Sequence, residues 1–128
     1  MTLSETPINE SAMSFEYDVL SDRWICAPDL KAMYGVPHGA EMTTDYMAGR
    51  MVHDDRDLML ERFAFHLSNP GPFQYEFRIH DHANRVRHLV LVGNSEGAGD
   101  EVKRMSGYLV DITESLREQT TAAVAASA

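Results

Sequence analysis

The chain has 128 residues, 44% hydrophobic and 24% charged, which fits one soluble globular domain with a single core. A formal net charge of −9 and a pI near 5.0 argue against nucleic acid as a direct partner, because phosphate binding needs clustered Lys and Arg. Cys26 is the single cysteine, so no internal disulfide forms and a reducing, cytoplasmic setting is expected; with no basic-then-apolar leader and no bilayer-length apolar run, no membrane partner is expected.

Met1–Met13 is polar and lacks an apolar period, and reads as a loose arm or weak helix. Ser14–Leu20 then alternates, with Phe15, Tyr17 and Val19 on one face and Glu16 and Asp18 on the other, as a half-buried strand does. Ser21-Asp22 supplies turn chemistry, and Arg23–Ala27 reads as the hairpin partner. Pro28 suits the first position of a short helix carrying Leu30, Met33 and Tyr34, which Gly35 ends. Thr43-Thr44-Asp45 caps a second short helix with Tyr46, Met47 and Met51.

His53-Asp54-Asp55 is another helix start, with carboxylates near the positive end of the dipole, and the helix is predicted from about Arg56 to Leu67. Met59, Leu60, Phe63 and Leu67 form its core stripe, while Leu58 and Phe65 lie on nearly the opposite side. Ser68–Pro72 stops it. Phe73–His80 alternates again, with Phe73, Tyr75, Phe77 and Ile79 facing in and Gln74, Glu76, Arg78 and His80 facing out.

Ala83-Asn84 is the expected turn centre, which pairs His88 with Ile79 and points it inward beside Phe77. Val86–Val92 reads as the next strand, in which Leu89, Val90, Leu91 and Val92 are all apolar, so a flanking helix or a partner chain is expected over the outer face of the sheet. Asn94–Asp100 reads as a flexible turn, and Val102–Ile112 as the final strand. That strand runs directly into a helix start: Asp111 and Thr113 are good cap residues, and Ser115-x-x-Glu118 is a capping-box pattern. The alanine-rich stretch Thr121–Ala128 continues that helix by propensity.

Four stations in register resemble a PAS domain ending in a PAC motif. Pro28–Gly35 stands where such domains carry their first short helix, and His53-Asp54-Asp55-Arg56 is similar to the family's His-Pro-Asp-Asp-Arg. Tyr75-Glu76-Phe77-Arg78-Ile79 resembles its Glu-aromatic-Arg strand, and Gly107 with Asp111-Ile112-Thr113-Glu114 resembles its terminal DITE. Departures are Ala83-Asn84 for the usual Asp-Gly, His88 for an aromatic, and Asp54 for Pro. The resemblance implies an α+β fold whose five antiparallel strands, ordered 2-1-5-4-3, curve around a pocket closed by helices. It also implies a signalling role, with output through the helix after the last strand. The corresponding division is an N-terminal arm over residues 1–13, a sensor domain over 14–113, and a signalling helix over 114–128.

Several chemistries are weighed against this pattern. Covalent flavin photosensing needs a Cys in the helices after the hairpin, and Thr43–Met51 has none. Haem ligation, the mark of a gas sensor, needs a pocket-facing His; His66 sits at the edge of the core stripe, and the position of the family's haem ligand falls at Met59. His80, His82 and His88 do not converge, so no metal site is expected. Eight methionines fit either gap-filling core or an adaptable cavity, and composition favours the first.

The candidate pocket residues are Met33, Met47, Met59, Phe63, Phe77, Ile79 and His88, which suit an apolar or fatty-acid-like ligand. Asp111, Ile112, Thr113 and Glu114 are the candidate transmission residues, and no catalytic residue is assigned. The leading expectation is a non-enzymatic sensor or dimerisation module, working as a homodimer with a downstream effector. The rival is a small cone-type α+β isomerase or hydratase, although such folds open with long helices and this chain opens with a hairpin.

Overall fold

The computed structural model describes residues 12–37, 39–98 and 101–119. The arm through Ser11 and the alanine-rich tail from residue 121 lie outside the described residues. The first hairpin joins β1 (Ala12–Asp18) to β2 (Arg23–Cys26), with Tyr17 opposite Trp24. β1 starts earlier than the alternation marks it. Ala12 and Met13, read as the end of the arm, belong to the strand, and buried Met13 extends the inward row of Phe15 and Tyr17.

Helix α1 (Pro28–Tyr34) has the expected bounds, with Pro28 at its start and Gly35 at φ 77° returning its N–H to the Ala32 carbonyl. Helix α2 (Thr44–Arg50) is capped by the Thr43 hydroxyl, which accepts the Tyr46 N–H at 3.1 Å. Met51 falls outside that helix and forms a bridge to Ile79 instead. Helix α3 (His53–Ser68) starts before Arg56: His53, Asp54 and Asp55 are its first turn, and Val52 precedes them without a side-chain cap. Asp55 has other work. Its carboxylate accepts the Arg78 backbone N–H at 2.8 Å and the guanidinium at 2.8 and 2.9 Å, tying the start of α3 to the edge of the sheet.

The remaining strands are β3 (Gly71–His80), β4 (Val86–Ala98) and β5 (Glu101–Asp111), and the sheet order is β2-β1-β5-β4-β3. The α+β class and the strand order therefore stand as the resemblance implied, and the cone-type architecture does not apply. Two local expectations are corrected. Asn94–Ala98 is not a flexible turn; it continues β4, paired with β5 from Asn94↔Ser106 to Ala98↔Glu101, with a register shift at Glu96/Gly97. A Cβ on Gly97 would lie 1.8 Å from the Glu101 carbonyl oxygen, so the hairpin closes only because that residue is glycine.

The second correction is to the β3–β4 register. His88 pairs with Arg78, not with Ile79. The cause is Asp81, whose Oδ1 accepts the N–H groups of Ala83 and Arg85 at 2.8 and 2.9 Å and so builds an asymmetric loop. One residue of slip turns a side chain to the other face of a sheet. His88 accordingly lies with Arg78 on the face away from the core, on the same side as His80.

The core fills the space between the inner face of the sheet and the helices. Its larger cluster includes Met13, Phe15, Leu30, Tyr34, Met42, Ile79, Leu89 and Leu109; a smaller one gathers Tyr17, Val102 and Met105 near the far end of α3. Leu58 and Phe65 on α3 are exposed, as their spacing implies, but Leu60 is only partly covered.

Candidate functional site: an apolar cavity beside the strand–helix junction

A cavity of about 70 Å³ lies between α2, α3 and the inner face of the sheet. Trp24, Phe63, Phe15 and Phe73 supply aromatic walls, Met47, Met51, Met59 and Met105 supply flexible ones, and Leu60, Leu91, Leu109 and Ala48 complete the apolar lining. Two glycines meet in the sheet between the lining residues Phe15 and Phe73. Gly93 pairs with Gly107, and Phe73 and Phe15 flank them on the outer strands of the same row. A Cβ on Gly93 would stand 2.8 Å from the Phe73 ring, and one on Gly107 would stand 2.0 Å from the Val92 carbonyl oxygen.

Three polar side chains reach the lining: Thr44, His66 and Tyr75. The Thr44 hydroxyl accepts the Trp24 indole N–H at 2.8 Å and donates to Asp22 at 3.1 Å. Asp22 also accepts the Tyr17 hydroxyl at 2.6 Å, so the rim near β1 and β2 is hydrogen-bonded throughout. Across the cavity, His66 Nε2 is hydrogen-bonded to the Tyr75 hydroxyl. Burial raises the Tyr75 phenol pKa, with the Arg62 charge, 4.9 Å over its ring, opposing.

Leu109 and Met105 bring β5 into the lining, and two residues beyond Leu109 the strand ends at Asp111. The junction there is tightly bonded. Asp111 Oδ1 accepts both the N–H and the hydroxyl of Thr113, at 3.0 and 2.6 Å. The Thr113 hydroxyl in turn accepts the His88 N–H at 2.9 Å, and the Ile112 N–H donates to the His88 carbonyl at 2.9 Å. Residues 113–119 are helical, and the first helical bond runs from Leu116 to Ile112. Thr113 therefore fastens the helix to β4 rather than capping it, and Ser115 lies within the helix rather than at its start.

Behind this junction is Asp81, whose side chain has 0% of its surface exposed. Arg87 donates to Asp81 at 2.9 Å and to Asp111 at 3.1 Å. Burial pushes the Asp81 carboxyl up. The Arg87 guanidinium and the N–H groups of Arg85 and Ala83 outweigh it and hold the carboxyl well below the usual carboxylate range. The loop is also tied to the helices: Arg50 at the end of α2 donates to the His80 carbonyl at 2.9 Å and to that of Asp81, and the His82 N–H donates to Met33 at 2.8 Å.

No protein-family model and no curated protein matches the chain. Solved structures do. The N-terminal domain of a diguanylate cyclase with a PAS/PAC sensor from Marinobacter aquaeolei superposes with a TM-score of 0.72 at 16% identity, over 82% of this chain and 98% of that one. A sensory box histidine kinase/response regulator from Burkholderia thailandensis gives 0.71 at 18%, over 94% and 92%. The chain has the PAS fold. An RNA-binding light-oxygen-voltage receptor shares the PAS fold too, with a TM-score of 0.67 at 18% identity, over 91% of this chain and 35% of that one.

Neither cofactor weighed from the sequence fits the residues of this PAS fold. A flavin or a haem is many times larger than the space of about 70 Å³ here. Cys26 is outside the cavity lining, and burial pushes its thiol up to about 11, away from the reactive thiolate. His66 has its Nε2 engaged by Tyr75. Among the described residues no group of three His, Cys, Asp or Glu is placed to hold a metal ion. No helix of the described residues is long and apolar enough to cross a membrane.

Of the candidate pocket residues, Met47, Met59 and Phe63 line the cavity. Phe77 and Ile79 are buried in the adjoining core, Met33 packs against that core, and none of the three reaches the cavity. His88 is on the opposite face of the sheet, for the register reason given above. Sequence reasoning missed Phe15, Trp24 and Met105 as lining residues and left His66 at the boundary. The inward alternation of β1 and β3 was a usable signal for Phe15, Phe73 and Tyr75; the pairing of the two glycines was not legible. Asp111, Ile112 and Thr113 come together at the junction, whereas Glu114 is exposed and pairs with Arg117 at 2.9 Å.

Proposed function

We propose that this chain is the sensory module of a cytoplasmic signalling protein, without catalytic activity of its own. A small apolar ligand in the cavity displaces Leu109 and Met105, and β5 carries the displacement into the helix that begins at residue 113 and on to an effector, in the same protein or in a partner. The observation that carries this reading is the short path from the cavity to the helix: Leu109 lines the one, and Asp111, two residues on, is bonded to the start of the other. Its neighbours in fold, a cyclase sensor domain and a sensory kinase, support the same reading. Amide exchange at residues 112–117 tests it. Saturating the buffer with toluene should change their protection, and unchanged protection with toluene bound would remove the relay.

Dimerisation is the second reading, favoured by the outer face of the sheet. Register places Val92 beside Tyr108 and Val90 beside Val110, four apolar side chains on the face opposite the cavity, and Tyr108 is 42% exposed. A second copy packed on this face would explain why β4 is apolar on both sides. Light scattering should then give a dimer that Tyr108→Glu dissociates; a wild-type monomer at high concentration would count against it.

A further inference from the structure

β3 lies at an edge of the sheet, closed at its two ends and open in its middle. At one end the Arg78 N–H donates to Asp55 and the Arg78 carbonyl accepts the Val52 N–H at 2.9 Å, so both groups point away from β4. Backbone groups alternate in direction along a strand, so those of Gln74 and Glu76 point the same way. They have no hydrogen-bond partner among the described residues. At the other end Pro72 has no N–H to offer. Gln74 and Glu76, both exposed, therefore present two donors and two acceptors to solvent, on an edge that folded proteins ordinarily blunt.

Helix α3 overlooks this edge. Asp55, Leu58, Arg62 and Phe65 follow one another at spacings of three and four, so they share one stripe of the helix. Asp55 holds Arg78, and Arg62 lies 4.9 Å over the Tyr75 ring, which sets the stripe alongside β3. Its other two members, Leu58 and Phe65, are 50% and 58% exposed. An open strand edge and an uncovered apolar stripe thus lie side by side.

We infer that this edge takes up an extended segment of a partner protein as a sixth strand, and that apolar and basic residues alternate in that segment. Its backbone pairs with Gln74 and Glu76. Side chains on its inner face meet Tyr75 and the stripe of Leu58 and Phe65, which calls for apolar ones. On the outer face Glu76 is exposed and has no ion-pair partner among the described residues, and cross-strand pairing favours Lys or Arg opposite it. The chain's own outlying segments, residues 1–11 and 120–128, contain no Lys or Arg to fill that place. A second copy meeting edge to edge brings another Glu76 and a further net charge of −9. The docking edge stands apart from the cavity ligand, and neither reading depends on the other.

A displayed library of heptapeptides tests this on the full chain. Selection should enrich peptides in which apolar and basic residues alternate, and a synthetic copy of the enriched sequence should slow amide exchange at Gln74 and Glu76. Glu76→Lys should turn the preference towards acidic peptides. Gln74→Pro removes an N–H that serves no bond in the sheet, so the fold should survive and binding should weaken about tenfold. Should that variant not fold, the charge reversal and the wild-type exchange pattern carry the test. Failure to enrich any peptide, enrichment without alternation, an unchanged preference in Glu76→Lys, or binding that leaves both amides unprotected would overturn the inference. So would protection that rises with protein concentration alone, which would give the edge to a second copy.

Discussion

Arg87 stands between two carboxylates, 2.9 Å from Asp81 and 3.1 Å from Asp111, and so joins the β3–β4 loop to the last residue of β5. Removing the guanidinium leaves the buried Asp81 charge with only its backbone donors and the more exposed Arg85 at 3.4 Å. Arg87→Met should therefore cost about 3 kcal/mol in urea unfolding. It should also speed amide exchange at Ile112 and Thr113 more than at residues of β1. Equal loss of protection in both places would mean that the contact stabilises the fold without holding the junction.

The paired glycines Gly93 and Gly107 predict a steric result. Gly107→Ala puts a methyl group 2.0 Å from a backbone oxygen that no rotamer can move. The chain should lose about 3 kcal/mol or more, or fail to fold. Gly93→Ala meets the Phe73 ring and the Ser106 carbonyl, each at 2.8 Å, and should be rescued in part by Phe73→Leu.

Asp55 predicts the acid limb of stability. Hydrogen bonds from the Arg78 side chain, working against burial, lower its carboxyl pKa from the ordinary value. The unfolded chain then takes up the proton first, below a pH of about 4. Stability is fully present above that value and is lost as pH falls through the folded pKa. Asp55→Asn should cost about 1 kcal/mol at neutral pH, given the partial exposure of Arg78, and should lose less stability than the wild type as pH falls further.

Tyr17 predicts the opposite limb. Burial and the hydrogen bond to Asp22 push its phenol up to about 12. Above pH ~10 the unfolded chain gives up that proton while the folded chain keeps it, so stability falls as pH rises through this range. Tyr17→Phe should remove part of the alkaline decline seen in thermal melts and leave the midpoint near neutrality within a few degrees. An alkaline limb of unchanged slope would remove Tyr17 as its cause.

Those elements whose signals are local were readable in the sequence. Pro28 and Gly35 bracket α1 through backbone preferences that need no tertiary partner, and the alternation of β1 and β3 reports which face is dry. What failed depended on distant pairing. The composition of Asn94–Ala98 is that of a turn, yet its pairing with β5 makes it strand, with Glu96 bonded to Arg104 at 3.4 Å. The orientation of His88 turned on whether the loop is symmetric, which a buried Asp81 decided through two backbone hydrogen bonds. The site suffered most. Whether an inward residue such as Phe77 fills the core or faces a void depends on volumes summed over several elements, and periodicity carries no volume.

The strand that opens the sheet finds its main partner in the strand that closes it: Ala12 faces Val110 and Asp18 faces Arg104. During synthesis the first hairpin leaves the ribosome with a free edge that stays bare until nearly all of the domain has been made. Loop closure on that scale slows folding and exposes the unfinished edge to other chains. A chain that breaks off before Arg104 should consequently collect in aggregates or with chaperones, however sound its earlier elements are.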